Sequence, residues 1–353
     1  MKKLLISAVF LFSFSVIFAW ENFTFSLTPK AGIMYGQIDE YVFSKISKCS
    51  QDKLSELNWD IKPAVTIGAE IDATAVKWIY LGGNFRTAFN GKTGAMEDRD
   101  WQNIDFEKSK PALVNSGTSQ TALTNYSSHD NYLKDYYAFS GKLGLNIPSI
   151  PKTNLRFLVM GKTEHIMFDG MNGGGMDSYI IDAFGNSTNS VKGKGPFFDI
   201  GTGLYAPKDF SQDGKVISYE QFKSYFYIGF EADTKAIPRF YLKAAFFWSP
   251  VFSVNAYDTH WTNLAIGLEG RFFDYVKGNG AMETDFQASF AFNKNHSIGV
   301  DFSWDYIPVT KGATYNGFNP DTMKVNPKNA NPAYLGGTSS SIFFFNLFYK
   351  FTL

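Results

Sequence analysis

Long runs in which apolar and polar residues strictly alternate constrain this chain more than any other feature. From Ser297 to Tyr306, every second residue is isoleucine, valine or aromatic, and serine, glycine and aspartate stand between them. The segments 240–248 and 343–353 show the same apolar period. Because successive side chains of a β-strand point to opposite faces, a period of two predicts strands with one apolar face.

These strands suit a membrane better than water. Strands of a soluble β-sandwich usually run about 5–6 residues, and their outward face is polar. The runs here are longer, and their aromatic residues cluster at strand ends, as in the aromatic girdles of outer-membrane barrels. Aromatic residues make up 18% of the 353 residues and charged residues 19%, whereas charged residues form about 25% of soluble domains. The sequence therefore predicts an outer-membrane β-barrel.

The N-terminus predicts export. Lys2 and Lys3 precede an apolar run that ends at Ala19, which is the order of charge, apolar core and small residue in a secretory signal peptide. We therefore expect residues 1–19 to be a signal peptide and residues 20–353 to form a single barrel domain. No later segment has the roughly 18 apolar residues that a spanning helix needs, so the chain is expected to span the membrane as strands.

Ten strands are predicted, and the connections between them alternate in length. Long connections follow the odd strands and short ones follow the even strands, which is typical of bacterial outer-membrane barrels. The predicted fold is all-β: a ten-stranded antiparallel transmembrane β-barrel with long extracellular loops. Residues 262–275 fit either a strand of their own or the approach to the eighth strand, into which we merge their end. The strands are predicted at 23–44, 54–72, 77–91, 131–147, 154–168, 218–233, 238–252, 271–293, 296–309 and 340–353, with long loops at 45–53, 92–130, 169–217, 253–270 and 310–339.

Charge and cysteine content exclude several functions. The 33 basic and 33 acidic residues balance, so no electrostatic field would attract nucleic acid, and we expect no nucleic-acid partner. The single cysteine, Cys49, excludes an internal disulfide framework and a metal site built from several cysteines.

Two short motifs near the tops of strands carry possible chemistry. Asp98 and Asp100 point to the same side of an extended segment, so we expect at least one of them to have its pKa raised by the other. Asp258 and His260 likewise share a face, and a carboxylate beside an imidazole fixes its tautomer and stabilises its protonated form. Each motif alone also fits solvated surface charge, and paired aspartates also fit a weak calcium site.

Together, the motifs resemble those of the omptin family of outer-membrane proteases. Omptins are ten-stranded barrels that carry an Asp-x-Asp-Trp segment on one wall and an Asp-x-His segment on the facing wall. This chain has Asp98-Arg99-Asp100-Trp101 after its third predicted strand and Asp258-Thr259-His260 after its seventh. The segment Asp39–Val42 looks like the omptin segment that carries a substrate-binding glutamate, here Glu40, and Met96 stands where omptins place a pocket methionine.

The resemblance implies an endopeptidase with water as its nucleophile. His260, oriented by Asp258, would act as general base on a water held between it and Asp98, and Asp98 and Asp100 would share a proton. No metal and no cofactor is expected, because the motifs lack the second histidine common in hydrolytic zinc sites. The implied partners are peptide or protein substrates outside the cell and the lipids of the outer membrane.

Two positions depart from the family pattern. Omptins that cleave at basic residues have a further acidic residue two positions before the catalytic aspartate, and Ala256 stands there. A weaker or different preference for basic residues is therefore expected. Family members also bind lipopolysaccharide through basic residues outside the barrel, and Phe222 at one such position argues against dependence on that lipid.

The other histidines are interpreted from their predicted positions in the barrel. We expect His129 to be a solvated residue of an external loop, and His165, at the top of the fifth strand, to be able to line the cleft. His296 lies at a short periplasmic turn and is expected to be too far from the site.

Three functions remain open at this stage. An outer-membrane endopeptidase is favoured. The alternative is a catalytically silent barrel that acts as an adhesin or binding surface. A small channel is disfavoured, because side chains largely fill the lumen of a narrow barrel.

Overall fold

Strands make up most of the described structure, a computed structural model. It describes residues 23–45, 52–75, 78–105, 112–113, 120–147, 152–177, 198–199, 204–205, 208–235 and 237–353. The predicted signal peptide and Cys49 lie outside these residues. Within them, no helix is long and apolar enough to cross a membrane. The fold is all-β.

The strands and helices have the following bounds. The first nine strands are β1 (Thr24–Ser44), β2 (Lys53–Ala75), β3 (Ile79–Ala88), β4 (Gly91–Asp105), β5 (Ala112–Leu113), β6 (Gln120–Ile147), β7 (Thr153–Asp177), β8 (Phe198–Asp199) and β9 (Leu204–Tyr205). The other strands are β10 (Lys208–Ser211), β11 (Lys215–Thr234), β12 (Phe240–His260), β13 (Arg271–Gly278), β14 (Ala281–Ala291), β15 (His296–Asn316), β16 (Phe318–Asn319), β17 (Lys324–Val325) and β18 (Ala330–Thr352). A short helix, α1 (Trp261–Ala265), follows β12, and a 3-10 turn spans Pro327–Asn329.

Antiparallel pairing joins the long strands into one sheet. The order runs β7, β11, β12, β13, β15, β18, β1, β2, β3 and β6, and β6 also pairs with β7. Two positions in this order are each filled by two consecutive strands. β3 and then β4 lie between β2 and β6, and β13 and β14 lie between β12 and β15.

A band of outward-facing apolar residues surrounds one part of the sheet. It extends from Leu27 to Tyr35 on β1, from Ile79 to Phe89 along and just past β3, and from Phe240 to Val251 on β12. Exposing so large an apolar surface to water is unfavourable. The surface matches the apolar band, about 25 Å tall, that outer-membrane barrels present to lipid. We call this region the apolar band. The distal end is the end of the sheet farther from Phe23 and Leu353.

Inside the apolar band, the inner face of the sheet carries charged residues that neutralise one another. The carboxylate of Glu70 forms ion pairs with the ammonium groups of Lys30, at 2.7 Å, and of Lys243, at 2.8 Å. Lys223 pairs with Glu164 at 2.7 Å, and all five side chains are at most 5% exposed. Buried charges are tolerated only when they are paired in this way, so the network fixes the strands across the interior.

Three β-bulges, each containing a proline, interrupt the pairing near the distal edge of the apolar band. Lys62 and Pro63 of β2 lie opposite one residue of β1. Ser249 and Pro250 of β12 lie opposite one residue of β11. Pro308 and its neighbour Val309 in β15 lie opposite one residue of β18. Proline suits a bulge, because it has no N–H to donate to the ladder.

Each bulge changes which residues of its strand face inward. On β12, odd-numbered residues such as Lys243 and Phe247 are buried before the bulge, and even-numbered residues such as Val254 and Ala256 are buried after it. One extra residue shifts a two-residue period by half, so the inward and outward faces exchange. The hydroxyl of Ser249 donates to the backbone carbonyls of Phe226 and Val251 and stabilises the bulge.

The predicted loop bounds at the distal end were wrong. Residues predicted as the loop 92–130 form the end of a strand pair, because β4 extends to Asp105 and β6 begins at Gln120. The strand predicted to end at 252 continues to His260. Beyond the apolar band both faces of these strands carry polar residues, so no apolar period marks them. The ambiguous stretch 262–275 is α1, a turn and then β13 from Arg271.

We predict that Lys243→Met lowers the free energy of unfolding by about 3–5 kcal/mol, because it leaves the buried carboxylates of Glu70 and Glu231 without that ammonium group. Urea titration, read from the gel mobility of folded and unfolded chain, measures the change. The control is Lys311→Met, since Lys311 and its partner Asp52 are 42% and 48% exposed. We expect that control to change stability by about 1 kcal/mol or less, and equal losses in both variants would contradict the prediction.

Candidate active site

β4 points the carboxylates of the first motif inward. Asp98 lies opposite Leu57 of β2 and opposite Ser127 of β6. The residue between the two aspartates, Arg99, lies on the opposite face, where its guanidinium donates to the side chains of Asn58 and Glu97. These outer contacts hold β4 against β2. The alternation of the strand then directs Asp98 and Asp100 to the interior.

β12 presents the second motif on the inner face of the sheet. The Nε2 atom of His260 lies 2.5 Å from Oδ2 of Asp258, and the ring of Phe272 packs edge-on against the imidazole, with centroids 5.6 Å apart. The next residue, Trp261, donates from Nε1 to the hydroxyl of Ser218 at 2.8 Å. The imidazole is thus held on one side by a carboxylate and on the other by an aromatic ring.

The two motifs influence each other although β4 and β12 are not paired. Burial raises the pKa of Asp98 well above its usual value, the negative charges of Asp100 and Asp258 raise it further, and His260 opposes this. Both motifs lie beyond Val251, the last exposed apolar residue of β12. In the pairing order, β6, β7 and β11 lie between β4 and β12, so these groups influence each other across the interior, distal to the apolar band.

The pKa of His260 is raised as well. Burial acts to lower it, but the charge of Asp258, the hydrogen bond to Asp258 and the charges of Asp98 and Asp100 together raise it to about 9. At neutral pH the imidazole is therefore protonated and forms an ion pair with Asp258. A pair of this kind can accept a proton only after the imidazole has released one.

An aromatic stack fills the interior beside the motifs. The indole of Trp59 is fully buried and stacks on Phe168, at a centroid distance of 5.7 Å, and on Tyr219, at 5.6 Å. Met96 lies opposite Trp59 in the pairing of β2 with β4 and is also buried. Glu40 projects from β1 to the same interior and is buried. Its pKa is raised well above the usual value, by burial and by the charges of neighbouring carboxylates.

The structure adds one acidic residue that the sequence reasoning missed. Asp274 of β13 is buried and lies directly opposite Ala256 of β12. Burial raises its pKa to about 7, a hydrogen bond from Thr314 acts against this, and the charge of Asp258 adds to it. In the sequence, the signal was a lone carboxylate in the inward row between Phe272 and Val276, but its position beside Ala256 depends on the register of two strands.

Two of the histidine interpretations were wrong. His129 belongs to β6, is only 3% exposed, and bonds to the hydroxyl of Ser127 at 2.8 Å. His165 faces the outer surface of the sheet rather than the cleft, where it bonds to Glu220 at 2.7 Å and stacks on Phe222. Alternation explains the second error, because Glu164 and Ile166 on either side of His165 face inward. Among the described residues, no group of three or more His, Cys, Asp or Glu is arranged to hold a metal ion.

A solved outer-membrane protease has a similar fold. The outer membrane protease OmpT from Escherichia coli superposes with a TM-score of 0.69 at 17% identity, over 94% of this chain and 97% of that chain. The toluene transporter TodX of P. putida reaches a TM-score of 0.27 at 8% identity, covering 96% of this chain and 92% of that one. A FadL homologue of Pseudomonas aeruginosa also reaches 0.27, at 10% identity, covering 94% and 90%. The superposition on OmpT shows that the fold is close to that of an outer-membrane protease barrel.

A sequence model identifies the family. The model of the Omptin family matches residues 21–342, and the chain belongs to this family. No curated protein sequence matches the chain. Family membership and the OmpT-like fold support an outer-membrane protease, and they imply a location in the outer membrane.

We predict that Asp258→Asn lowers the pKa of His260 from about 9 toward its ordinary value of 6.5, because it removes the charge that stabilises the imidazolium. The chain has 4 histidines, so NMR titration of the imidazole C–H signals in detergent measures the change. Asp130→Asn, which removes an exposed carboxylate paired with Lys92, is the matched control and should leave that titration unchanged. A pKa near 9 in the Asp258 variant would contradict the prediction.

Proposed function

We propose that this chain is an outer-membrane endopeptidase that hydrolyses peptide bonds with an activated water at the outer rim of a closed, ten-stranded barrel. The observation that carries the proposal is the hydrogen-bonded pair of Asp258 and His260, together with the electrostatic influence of Asp98 on it from an unpaired strand. Two motifs that meet only through folding form a more specific site than either motif alone.

The pairing of the strands supports the closed barrel. If β3 and β4 are counted as one strand position, and β13 and β14 as another, the sheet has ten strand positions. The pairing of β6 with β7 joins the first and last positions. The connections at the end nearer the chain termini are short, as between Thr234 and Phe240 or between Ala291 and His296. Short turns face the periplasm in such barrels, so the distal end with the site would face the exterior. Residues 1–19 would serve as the signal peptide for export.

The proposed mechanism uses water as the nucleophile. His260, with Nε2 held by Asp258, takes a proton from a water that also bonds to Asp98. The water oxygen forms a bond to the scissile carbonyl carbon, and the carbonyl oxygen becomes an oxyanion. His260 then returns the proton to the leaving amine as the C–N bond breaks. This assigns the enzyme to the aspartic-type endopeptidases.

The remaining acidic and apolar groups would position the substrate and the proton. Asp100 lies next in the inward row after Asp98, and burial and then the charge of Asp100 raise the pKa of Asp98. One proton shared by the two carboxylates keeps Asp98 able to donate a hydrogen bond to the water or to the oxyanion. Glu40 and Met96 would contact the side chain of the substrate beside the scissile bond.

Loss of either motif should abolish cleavage. We expect His260→Gln and Asp98→Asn each to lower kcat/KM on a mixed peptide library by about 10²–10⁴-fold, the usual contribution of a general base. His296→Gln, at the opposite end of β15 from the site, is the matched histidine control and should keep wild-type activity. If the wild type and the His260 variant cleave equally, the protease proposal fails, and a wild type that cleaves nothing favours the silent binding barrel.

The pH profile tests the role of His260 separately. Because its pKa is raised to about 9, the fraction of neutral imidazole, the form that can accept a proton, rises about tenfold with each unit of increasing pH up to that value. We expect kcat/KM to rise with pH and to level off near pH 9. In Asp258→Asn the rising limb should move to lower pH and the plateau should fall. A profile that is flat from pH 6 to 9 would exclude His260 as the base.

A further inference from the structure

His260 occupies the last position of β12. Its N–H donates to the backbone carbonyl of Gly270 at 2.7 Å, and it lies opposite Ile217 of β11. On the other side, the pairing of β12 with β13 ends one residue earlier, at Thr259. The ends of strands open more readily than their interiors. The orientation of the imidazole therefore depends on what restrains the residues that follow it in the chain.

The segment that follows His260 is α1, which has little stability of its own. Within the described structure it has 5 residues, none of them buried, and the side chain of its N-cap residue, His260, makes no capping hydrogen bond. Isolated helices shorter than about 12 residues are marginal in water. Contacts with the neighbouring strands must therefore hold α1 in place.

A chain of hydrogen bonds from β11 and β7 supplies such contacts. Nε1 of Trp261 donates to the hydroxyl of Ser218 at 2.8 Å, and that hydroxyl donates to Oδ1 of Asp169 at 2.6 Å. The ammonium group of Lys215 lies 2.9 Å from Oδ2 of Asp169 and 5.2 Å from the centre of the indole ring of Trp261. We call these four residues the outer-face cluster.

The outer-face cluster lies on the side of the sheet away from the two motifs. Ser218 and Asp169 are directly opposite each other, and they alternate with the inward-facing residues Tyr219 and Phe168. Ser218 and Asp169 are nevertheless only 6% and 3% exposed. A buried hydroxyl that donates to a carboxylate is polarised and becomes a better acceptor, which strengthens the bond from Trp261. The cluster therefore ties α1 to two strands of the sheet.

We propose that Trp261 is a positioning residue, whose hydrogen bond to Ser218 restrains the end of β12 and keeps the imidazole of His260 against the carboxylate of Asp258. The inference rests on the proposed function and adds a residue that touches neither the substrate nor the reacting water. Trp261 acts through the backbone of its neighbour. A displacement of a catalytic group by about 1 Å can lower a rate by about 100-fold.

Removing either partner of the hydrogen bond tests this role. Trp261→Phe keeps an aromatic ring but has no N–H to donate, and Ser218→Ala removes the acceptor. We expect each variant to lower kcat by about 10- to 100-fold with little change in KM, because the substrate would bind on the inner face. Both changes remove the same bond, so the double variant should lose no more than either single variant. A raised KM with unchanged kcat, or additive losses, would overturn the proposal.

A second tryptophan–serine pair provides the matched control. Nε1 of Trp304 donates to the hydroxyl of Ser341 at 3.0 Å, and Trp304 belongs to β15, which carries neither motif. Trp304→Phe removes the same kind of bond and should leave kcat unchanged. An equal loss of kcat in this variant would overturn the specific role of Trp261. Gel mobility before and after heating confirms that each variant is folded.

NMR titration distinguishes this inference from the proposed function, because it requires no cleavage. If Trp261 keeps the imidazole against Asp258, the pKa of His260 should fall from about 9 toward its ordinary value of 6.5 in Trp261→Phe. It should stay near 9 in Trp304→Phe. A pKa near 9 in both variants would overturn the inference. If the wild type cleaves no peptide, the protease proposal fails, and a lowered pKa in Trp261→Phe alone still supports the restraint of His260 by Trp261.

Discussion

Hydrogen bonding between neighbouring strands fixes the face to which every residue of this sheet points, and the rest of the structure depends on that constraint. Within the apolar band, the constraint sends leucine and phenylalanine to the lipid and lysine and glutamate to the interior. At the distal end, the same rule sends Asp98, Asp258 and His260 to the interior. The bulges at Pro63, Pro250 and Pro308 reconcile the two regions, because each shifts the alternation by one residue. Without the shift on β12, Asp258 and His260 would face outward.

The interior divides into two electrostatic regions. Within the apolar band, Lys30 and Lys243 form ion pairs with Glu70, and these ion pairs stabilise the sheet. At the distal end, burial and then the charges of neighbouring carboxylates raise the pKa values of Asp98 and Glu40. Perturbed pKa values of this kind cluster at functional sites, which accords with the proposed catalytic role. The ion-paired region within the apolar band serves as the rigid support for the distal end.

Much of the fold could be predicted from the sequence, because lipid-facing strands must alternate. Strands such as 297–306 were evident for that reason. The distal parts of β4, β6 and β12 were not, since polar residues on both faces leave no period to detect. Asp98, Asp258 and His260 were singled out from two short motifs, and the family resemblance then joined the motifs into one site. Asp274 was missed because its meaning depends on the register between β12 and β13, which a single sequence does not encode in any readable way.

The proline bulges also bear on how such a chain can diverge. In a strand with one uninterrupted alternation, an insertion that suits a thicker bilayer would turn every later side chain to the other face and destroy the cleft. Here the bulge at Ser249 and Pro250 is itself an insertion of one residue, and the exchange of faces that it causes is already part of the fold. Substitutions in the apolar band and at the distal end can therefore accumulate independently of each other. Low overall identity to OmpT, together with a shared fold, is the outcome that such independence allows.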